Sequence, residues 1–337
     1  MTMITKSKLN TLFSKSNKGY VDSLKYNLSD FIDNPDMDQL KISDRICLFD
    51  SWRNDLIAYQ YNHVRRISMT GAGPVINLKD HYTQQVRPFI NLASNDYLNL
   101  ATDPAVISAG VAALKQYGAG AGSVPLLGGT HVIHKVLEKK IAKFKACEHS
   151  LLFTSGFGAN SGVLNALLRN NDVAILDMYV HASILDGCKN KNKIFFRHNN
   201  LCSLEKALEK SSGYINKLVV VDGVYSMDGD IAKLDQIVKL AHCYNAMVMV
   251  DEAHATGVIG ALGKGTPEYC NIEGKVDIIS GTFSKGLGAV GGFIAGSKQL
   301  IHYLELLTRT FMFSTALPPS VCGSVIKSID IIINNST

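Results

Sequence analysis

Lys285 stands in an unusual string. Gly281-Thr282-Phe283-Ser284-Lys285-Gly286-Leu287-Gly288 is a glycine- and hydroxyl-rich turn that follows one apolar run and precedes another. A lysine is normally placed on a solvated helix face. In a desolvated turn its amine gives up its proton more easily, which suits imine formation. Thr282 and the turn amides could hold a phosphate. The competing reading is an exposed loop lysine. A second string, Asp251-Glu252-Ala253-His254, ends the apolar run Ala246–Val250. A carboxylate at a strand end could face a pyridine nitrogen and keep it protonated, because an opposite charge favours the charged form. A protonated pyridine ring is an electron sink for a carbanion. His254 could hydrogen-bond a hydroxyl on the same ring. The competing reading is a structural aspartate.

Other chemistries are excluded by what the same strings lack. Asp251-Glu252-Ala253-His254 would suit a helicase-type NTPase only with a GxxxxGK[ST] phosphate loop upstream, and the chain has none. Gly286-x-Gly288-x-x-Gly291 has dinucleotide spacing but precedes a strand, where the motif must open a helix. Thr154-Ser155-Gly156-Phe157-Gly158-Ala159-Asn160 does follow a strand and open a helix, predicted from Gly158 to about Leu168, so its amides are an anion site or a packed helix start. His181, in Asp177-Met178-Tyr179-Val180-His181-Ala182-Ser183, is a core or surface histidine or an imidazole stacked on a flat ring. Ser226 lies in Gly223-Val224-Tyr225-Ser226-Met227-Asp228-Gly229-Asp230, a cofactor contact or a simple turn.

The elements that must carry these strings are legible as well. Strands are predicted at Ser150–Thr154, Val173–Asp177, Lys193–Arg197, Lys217–Asp222, Ala246–Asp251, Asp277–Ser280 and Gly292–Ala295. Helical stripes lie between them, such as Val136, Leu137, Ile141 and Phe144, and Ile231, Leu234, Ile237, Val238 and Ala241. Continuous apolar strands alternating with helices indicate an α/β fold with a mainly parallel sheet. Ligands of such sheets gather at the carboxyl ends of the strands, where these polar strings fall. Residues 1–85 read as polar and irregular, with one helix around Asp44–Tyr61.

Composition narrows the classes further. The chain has 337 residues, 46% hydrophobic and 19% charged, enough for one large domain and an attachment. The net charge of +5 is mild, and Lys6, Lys8, Lys15 and Lys18 sit in a polar leader, not on a patterned face, so no nucleic-acid partner is expected. No apolar run is long enough for a transmembrane segment. The seven cysteines are scattered without a CxxC pair; they read as reduced thiols in a cytoplasmic protein, with no metal site.

In this order and spacing, from about Phe89 onward, the five strings resemble the α-oxoamine synthases, a family of fold-type I pyridoxal-phosphate enzymes. The resemblance implies a seven-stranded, mainly parallel sheet flanked by helices. It implies pyridoxal 5'-phosphate bound covalently at Lys285, Asp251 at the pyridine nitrogen, His254 at the ring hydroxyl and His181 stacked on the ring. Gly156 and Phe157 resemble the backbone phosphate pair, Thr282 a phosphate ligand and Ser226 the cofactor-site serine. Asn95, in Ser94-Asn95-Asp96-Tyr97-Leu98, resembles the asparagine near the amino-acid substrate. Ser314 and Thr315 resemble hydroxyls given to the phosphate of a partner subunit, so a homodimer with shared sites is implied. The expected organisation is an N-terminal extension and arm (1–88), a cofactor-binding large domain (89–320) and the start of a connection to a C-terminal domain (321–337). Family members usually continue into that domain, which is expected to hold the arginine for the substrate carboxylate. The arginine that many members carry within Gly118–Pro125 is absent here.

The implied reaction condenses an amino acid with an acyl-CoA, usually with decarboxylation, to an amino ketone, with Lys285, His181, Asp251 and His254 as the catalytic set. His181–Cys188, Arg197–Asn200 and Gly281–Lys285 look closest to bacterial serine palmitoyltransferases, while Val221–Asp230 suits the 8-amino-7-oxononanoate synthases equally. A 2-amino-3-ketobutyrate CoA ligase, another fold-type I enzyme such as an aminotransferase or lyase, and a catalytically inactive partner subunit are the remaining alternatives.

Overall fold

The computed structural model describes residues 27–61 and 64–335. The leader lysines lie outside the described residues. The described residues divide into two compact units, the first within residues 27–70 and 76–89, the second within residues 71–75 and 90–335.

The first unit carries helix α1 (Ile42–Ala58), strand β1 (Ile67–Ser68) and all but one end residue each of strands β2 (Val75–Lys79) and β3 (Val86–Ile90), paired in the order β1-β2-β3. The expected helix is there, two residues earlier at its start. The strands were not foreseen, because they are short and largely exposed and show no apolar alternation. Phe31, Phe49 and Trp52 form an aromatic cluster with centroids 5.2–5.3 Å apart.

The second unit is built on seven strands: β4 (His149–Phe153), β5 (Asp172–Asp177), β6 (Asn192–Phe196), β7 (Asn216–Asp222), β8 (Met247–Asp251), β9 (Ile278–Thr282) and β10 (Gly292–Gly296). Their order is β4-β10-β9-β8-β7-β5-β6. β10 runs antiparallel to both neighbours and the other pairings are parallel. All seven foreseen strands are present. Successive side chains feed opposite faces: Val173, Ile175, Val219, Val221, Val248 and Val250 enter one core cluster, and Ala174, Leu176, Leu218, Val220 and Met249 the other. Both faces are therefore dry, which is why the strands read as unbroken apolar runs.

The flanking helices are α2 (Pro104–Tyr117), α3 (Val132–Phe144), α4 (Gly156–Leu167), α5 (Ala182–Gly187), α6 (Leu201–Lys210), α7 (Leu234–Cys243), α8 (Lys298–Leu307) and α9 (Pro319–Asn335). Two expectations change. Ile231 is not part of α7; it forms an isolated bridge with Val224. Residues 321–335, set apart in the sequence as a connection, belong to α9, whose Cys322, Val325, Ile329 and Ile332 sit in the main core.

Candidate active site

Three adjacent parallel strands deliver the centre of the site. Register places Asp222 of β7 beside Asp251 of β8, and Asp251 beside Ser280 of β9. β9 runs on through Gly281 and Thr282, which pair with Phe293 and Gly292 of β10, and the turn after it presents Lys285. On the same side, Ser155 caps α4 by accepting a 2.9 Å bond from the Gly158 amide. His181 caps α5, its Nδ1 accepting from the Ser183 amide at 3.2 Å. Strand ends and helix starts thus open onto one cavity of about 250 Å3.

Seven of the residues singled out in the sequence line it: Gly156, Phe157, His181, Asp251, His254, Thr282 and Lys285. Asn95, Ser226, Ser314 and Thr315 do not line it. The cavity also has residues that sequence reading passed over. Asn160, on α4, donates from Nδ2 to Asp251 Oδ2 at 2.6 Å and to Ser183 Oγ at 3.0 Å. Ser183 Oγ lies 2.8 Å from His181 Nδ1. Ser284 Oγ lies 2.8 Å from Thr282 Oγ1. Asp222 ends an apolar strand just as Asp251 does, and that signal alone would have found it. Tyr97 Oη lies 2.7 Å from His254 Nδ1, and nothing local in the sequence announces that bond.

The electrostatics favour an amine that loses its proton and a histidine that stays neutral. Burial pushes the Lys285 ammonium below its ordinary range, with Asp251 and Asp222 pulling the other way. Burial, then the charge of Lys285, holds the His254 imidazole down to about 4. Its Nε2 sits 2.6 Å from Lys285 Nζ. Asp222 is held well above the carboxylate range, first by burial and next by the charge of Asp251. Asp251 is buried, and the Ala253 amide donates to its Oδ1 at 2.9 Å.

The donor set suits pyridoxal phosphate. An amine, a buried carboxylate and a stackable imidazole share the cavity with a helix N-terminus and two hydroxyls, the two ends of an aromatic aldehyde phosphate. The phosphate end is a cradle that only glycine permits. A Cβ on Gly156 would come within 2.9 Å of Thr282 Cβ, and one on Gly292 within 2.7 Å of the Gly156 backbone. The buried Oδ1 of Asn160 has no protein partner.

This fold and this cavity are those of the fold-type I pyridoxal-phosphate transferases. The sequence model of the aminotransferase class I and II family matches residues 87–335. The chain belongs to that family, in its α-oxoamine synthase branch. It is similar to 8-amino-7-oxononanoate synthase 1 of Bacillus subtilis, 47% identical over 246 residues, 72% of this chain and 63% of the relative. The Bacillus velezensis protein of the same name is 45% identical over 266 residues, 78% of this chain and 66% of the relative. Among solved structures, Sphingomonas wittichii serine palmitoyltransferase is 34% identical with a TM-score of 0.81, over 87% of this chain and 73% of that one. The 8-amino-7-oxononanoate synthase of Francisella tularensis is 28% identical with a TM-score of 0.63, over 72% and 69%. The chain spans 63% to 66% of the length of these two curated relatives.

Proposed function

We propose that the chain carries the cofactor half of a pyridoxal-phosphate acyltransferase that condenses an amino acid with an acyl-CoA and releases an amino ketone, usually with loss of carbon dioxide. The observation that carries this reading is the meeting of Lys285, Asp251 and the Gly156 helix start in one cavity. When bound, pyridoxal phosphate supplies an electron sink for the charge left at the amino acid's α-carbon. Asp251, held by Asn160 and the Ala253 amide, keeps a proton on the pyridine nitrogen. His181 and His254, which both line the cavity, would hold the ring, His181 by stacking and His254 by a hydrogen bond to its hydroxyl. The amides of Gly156 and Phe157 and the Thr282 hydroxyl hold the phosphate. Lys285, with its amine free, takes the α-proton.

Ser314 and Thr315, outside their own chain's cavity, are assigned to a partner's phosphate, which requires a homodimer. Ser226 is assigned to the cofactor and Asn95 to the amino acid. A cytoplasmic setting is supported by seven cysteines that all stand free. No helix among the described residues is long and apolar enough to cross a membrane.

Two substrate pairs compete. The curated relatives named 8-amino-7-oxononanoate synthase are 45% to 47% identical, whereas the serine palmitoyltransferase structure is 34% identical, and this favours the first. That product name describes a nine-carbon acid, which alanine minus its carboxylate and a seven-carbon diacid thioester would build. The serine reading is kept because the closer structural match is to serine palmitoyltransferase.

The test has two parts. Purified protein given pyridoxal phosphate should show a visible absorbance band that borohydride bleaches and Lys285→Ala abolishes. An unchanged band in the variant overturns the cofactor assignment. Thiol release with alanine, serine or glycine against a panel of acyl-CoAs then names the pair.

A further inference from the structure

The segment between β3 and α2 brings Tyr97 against His254, a residue of the cavity wall. Tyr97 Oη, the His254 ring and Lys285 Nζ form a row, with contacts of 2.7 Å at Nδ1 and 2.6 Å at Nε2. Lys285 lines the cavity, whereas Tyr97 is 43% exposed, so the row starts inside and ends at solvent.

A neutral imidazole carries its proton on one nitrogen and a lone pair on the other, which ties the two contacts together. An ammonium at Lys285 can only donate, so Nε2 accepts, Nδ1 carries the hydrogen and Tyr97 Oη accepts it. A neutral amine at Lys285 gains a lone pair and can accept from Nε2–H, which leaves Nδ1 bare for Tyr97 to donate to. The two arrangements differ by one proton and by the tautomer of His254.

We propose that Lys285, His254 and Tyr97 form a proton path, and that Tyr97 is the positioning residue through which the proton of Lys285 reaches solvent without crossing the cavity. The N–H bond at Nζ breaks as one forms at Nε2. The Nδ1–H bond breaks as an O–H bond forms on Tyr97. The original hydroxyl proton of Tyr97 passes to water, and no electron pair leaves the row. His254 conducts and does not store, because burial and the charge of Lys285 keep it from holding a second proton near neutral pH. Burial raises the Tyr97 phenol, so it keeps a hydrogen to relay. Asp251 and Asp222 face Lys285 from the strand ends, and His181 faces His254 from the cavity wall. The use of the path, freeing Lys285 to react, rests on the proposed function; the row itself is a property of this chain alone.

The experiment uses cofactor-free protein labelled with 15N-histidine, so it can fail while the cofactor reading stands. The ring resonances of His254, identified by their loss in His254→Gln, are followed against pH. In the wild type the Nδ1–H tautomer should give way to Nε2–H as Lys285 deprotonates. Lys285→Met, which leaves Tyr97 in place, should pin one tautomer across that range. Tyr97→Phe should remove the donor to Nδ1, displace the switch to higher pH and slow labelling of Lys285 by an amine reagent about threefold to tenfold. Unshifted resonances of His242 and His302 check its fold. A single tautomer at every pH in the wild type overturns the proposal. So does a switch that survives Lys285→Met, or a Tyr97→Phe protein with unchanged switch and labelling rate.

Discussion

Lys145→Met should be among the most damaging single changes to the site, although Lys145 never touches the cavity. Its ammonium is buried at the end of α3. It donates to Thr256 Oγ1 at 2.8 Å and to the Lys264 carbonyl at 2.6 Å, and lies 3.3 Å from Glu252 Oε2. The side chains are 1% and 0% exposed. At an effective dielectric of about 20, unit charges 3.3 Å apart attract by about 5 kcal/mol. Much of that offsets the desolvation of both ions, so the pair is a weak stabiliser taken whole. Breaking it is different. Methionine fills the space of the lysine and leaves a carboxylate in a buried pocket with Thr266, whose amide donates to it at 3.0 Å, as its remaining hydrogen-bond partner. The backbone closes over it, since a Cβ on Gly265 would fall 1.7 Å from Glu252 Oε2 and one on Gly223 2.3 Å from Oε1. Removing one partner of such a pair costs about 3–5 kcal/mol.

The assay is urea unfolding of the wild type, Lys145→Met, and Lys145→Met with Glu252→Gln, followed by far-ultraviolet circular dichroism. The single tryptophan, Trp52, lies in the first unit and would report on the wrong one. With a slope of about 3 kcal/mol/M for a chain of this size, the midpoint should fall by about 1–1.7 M in the single variant. It should recover by roughly half in the double variant, where no charge is stranded. Glu252 is the residue between Asp251 and Ala253-His254, so the single variant should also bind pyridoxal phosphate more weakly. A midpoint shift below about 0.3 M, or a double variant no better than the single, would refute the reasoning.

Asn160→Ala removes the 2.6 Å bond to Asp251, and a bond to a charged group contributes about 1.5–3 kcal/mol, so the dissociation constant for pyridoxal phosphate in an absorbance titration should rise roughly 10- to 100-fold; an unchanged constant would show that Asp251 is held without it. His254 is held down to about 4 in the fold, whereas an unfolded histidine titrates near 6.5. Between those values the unfolded chain binds a proton that the folded site refuses, so stability should fall as pH drops from about 6.5 towards 4 and level off below. Thermal melts at stepped pH should show a flatter slope in His254→Gln, and an equal slope in both proteins would count against the assignment.

What the sequence revealed follows from which forces act locally. Strands buried on both faces must be apolar at every position, so β4 to β10 stand out within a residue or two. The exception is the end of β9, where Gly281, a residue type depleted in strands, pairs with β10 and carries the strand on to Thr282. The strands of the first unit meet solvent and carry no comparable constraint. The site residues that could be read are those whose type is strange for their place, Lys285 in a glycine turn above all. Those that could not are defined by one bond across a long stretch of chain: Asn160 is 91 residues from Asp251 and Tyr97 is 157 from His254. An asparagine in a helix and a tyrosine in a loop are ordinary until the fold brings their partners.

The strand-end aspartates show why the type of a residue in the sequence is only half of its chemistry. Asp177, Asp222 and Asp251 end three strands of one sheet, and each follows an apolar run. Asp177 is consumed by structure: it accepts from the Tyr179 amide at 2.9 Å, from the Asn199 amide at 2.8 Å, and pairs with His198 Nδ1 at 3.0 Å. Asp222 receives one long bond, 3.4 Å from the His181 amide, beside the charge of Asp251, and is pushed towards the neutral acid. Asp251 receives Asn160 and the Ala253 amide, one at each oxygen. Two adjacent buried carboxylates do not both ionise readily, and hydrogen-bond donors favour the charged form of the group that receives them. Asn160 therefore does more than hold Asp251 in place. Its bond to Oδ2, with the Ala253 amide at Oδ1, gives Asp251 two close donors, whereas Asp222 beside it has one long bond and is pushed towards the neutral acid.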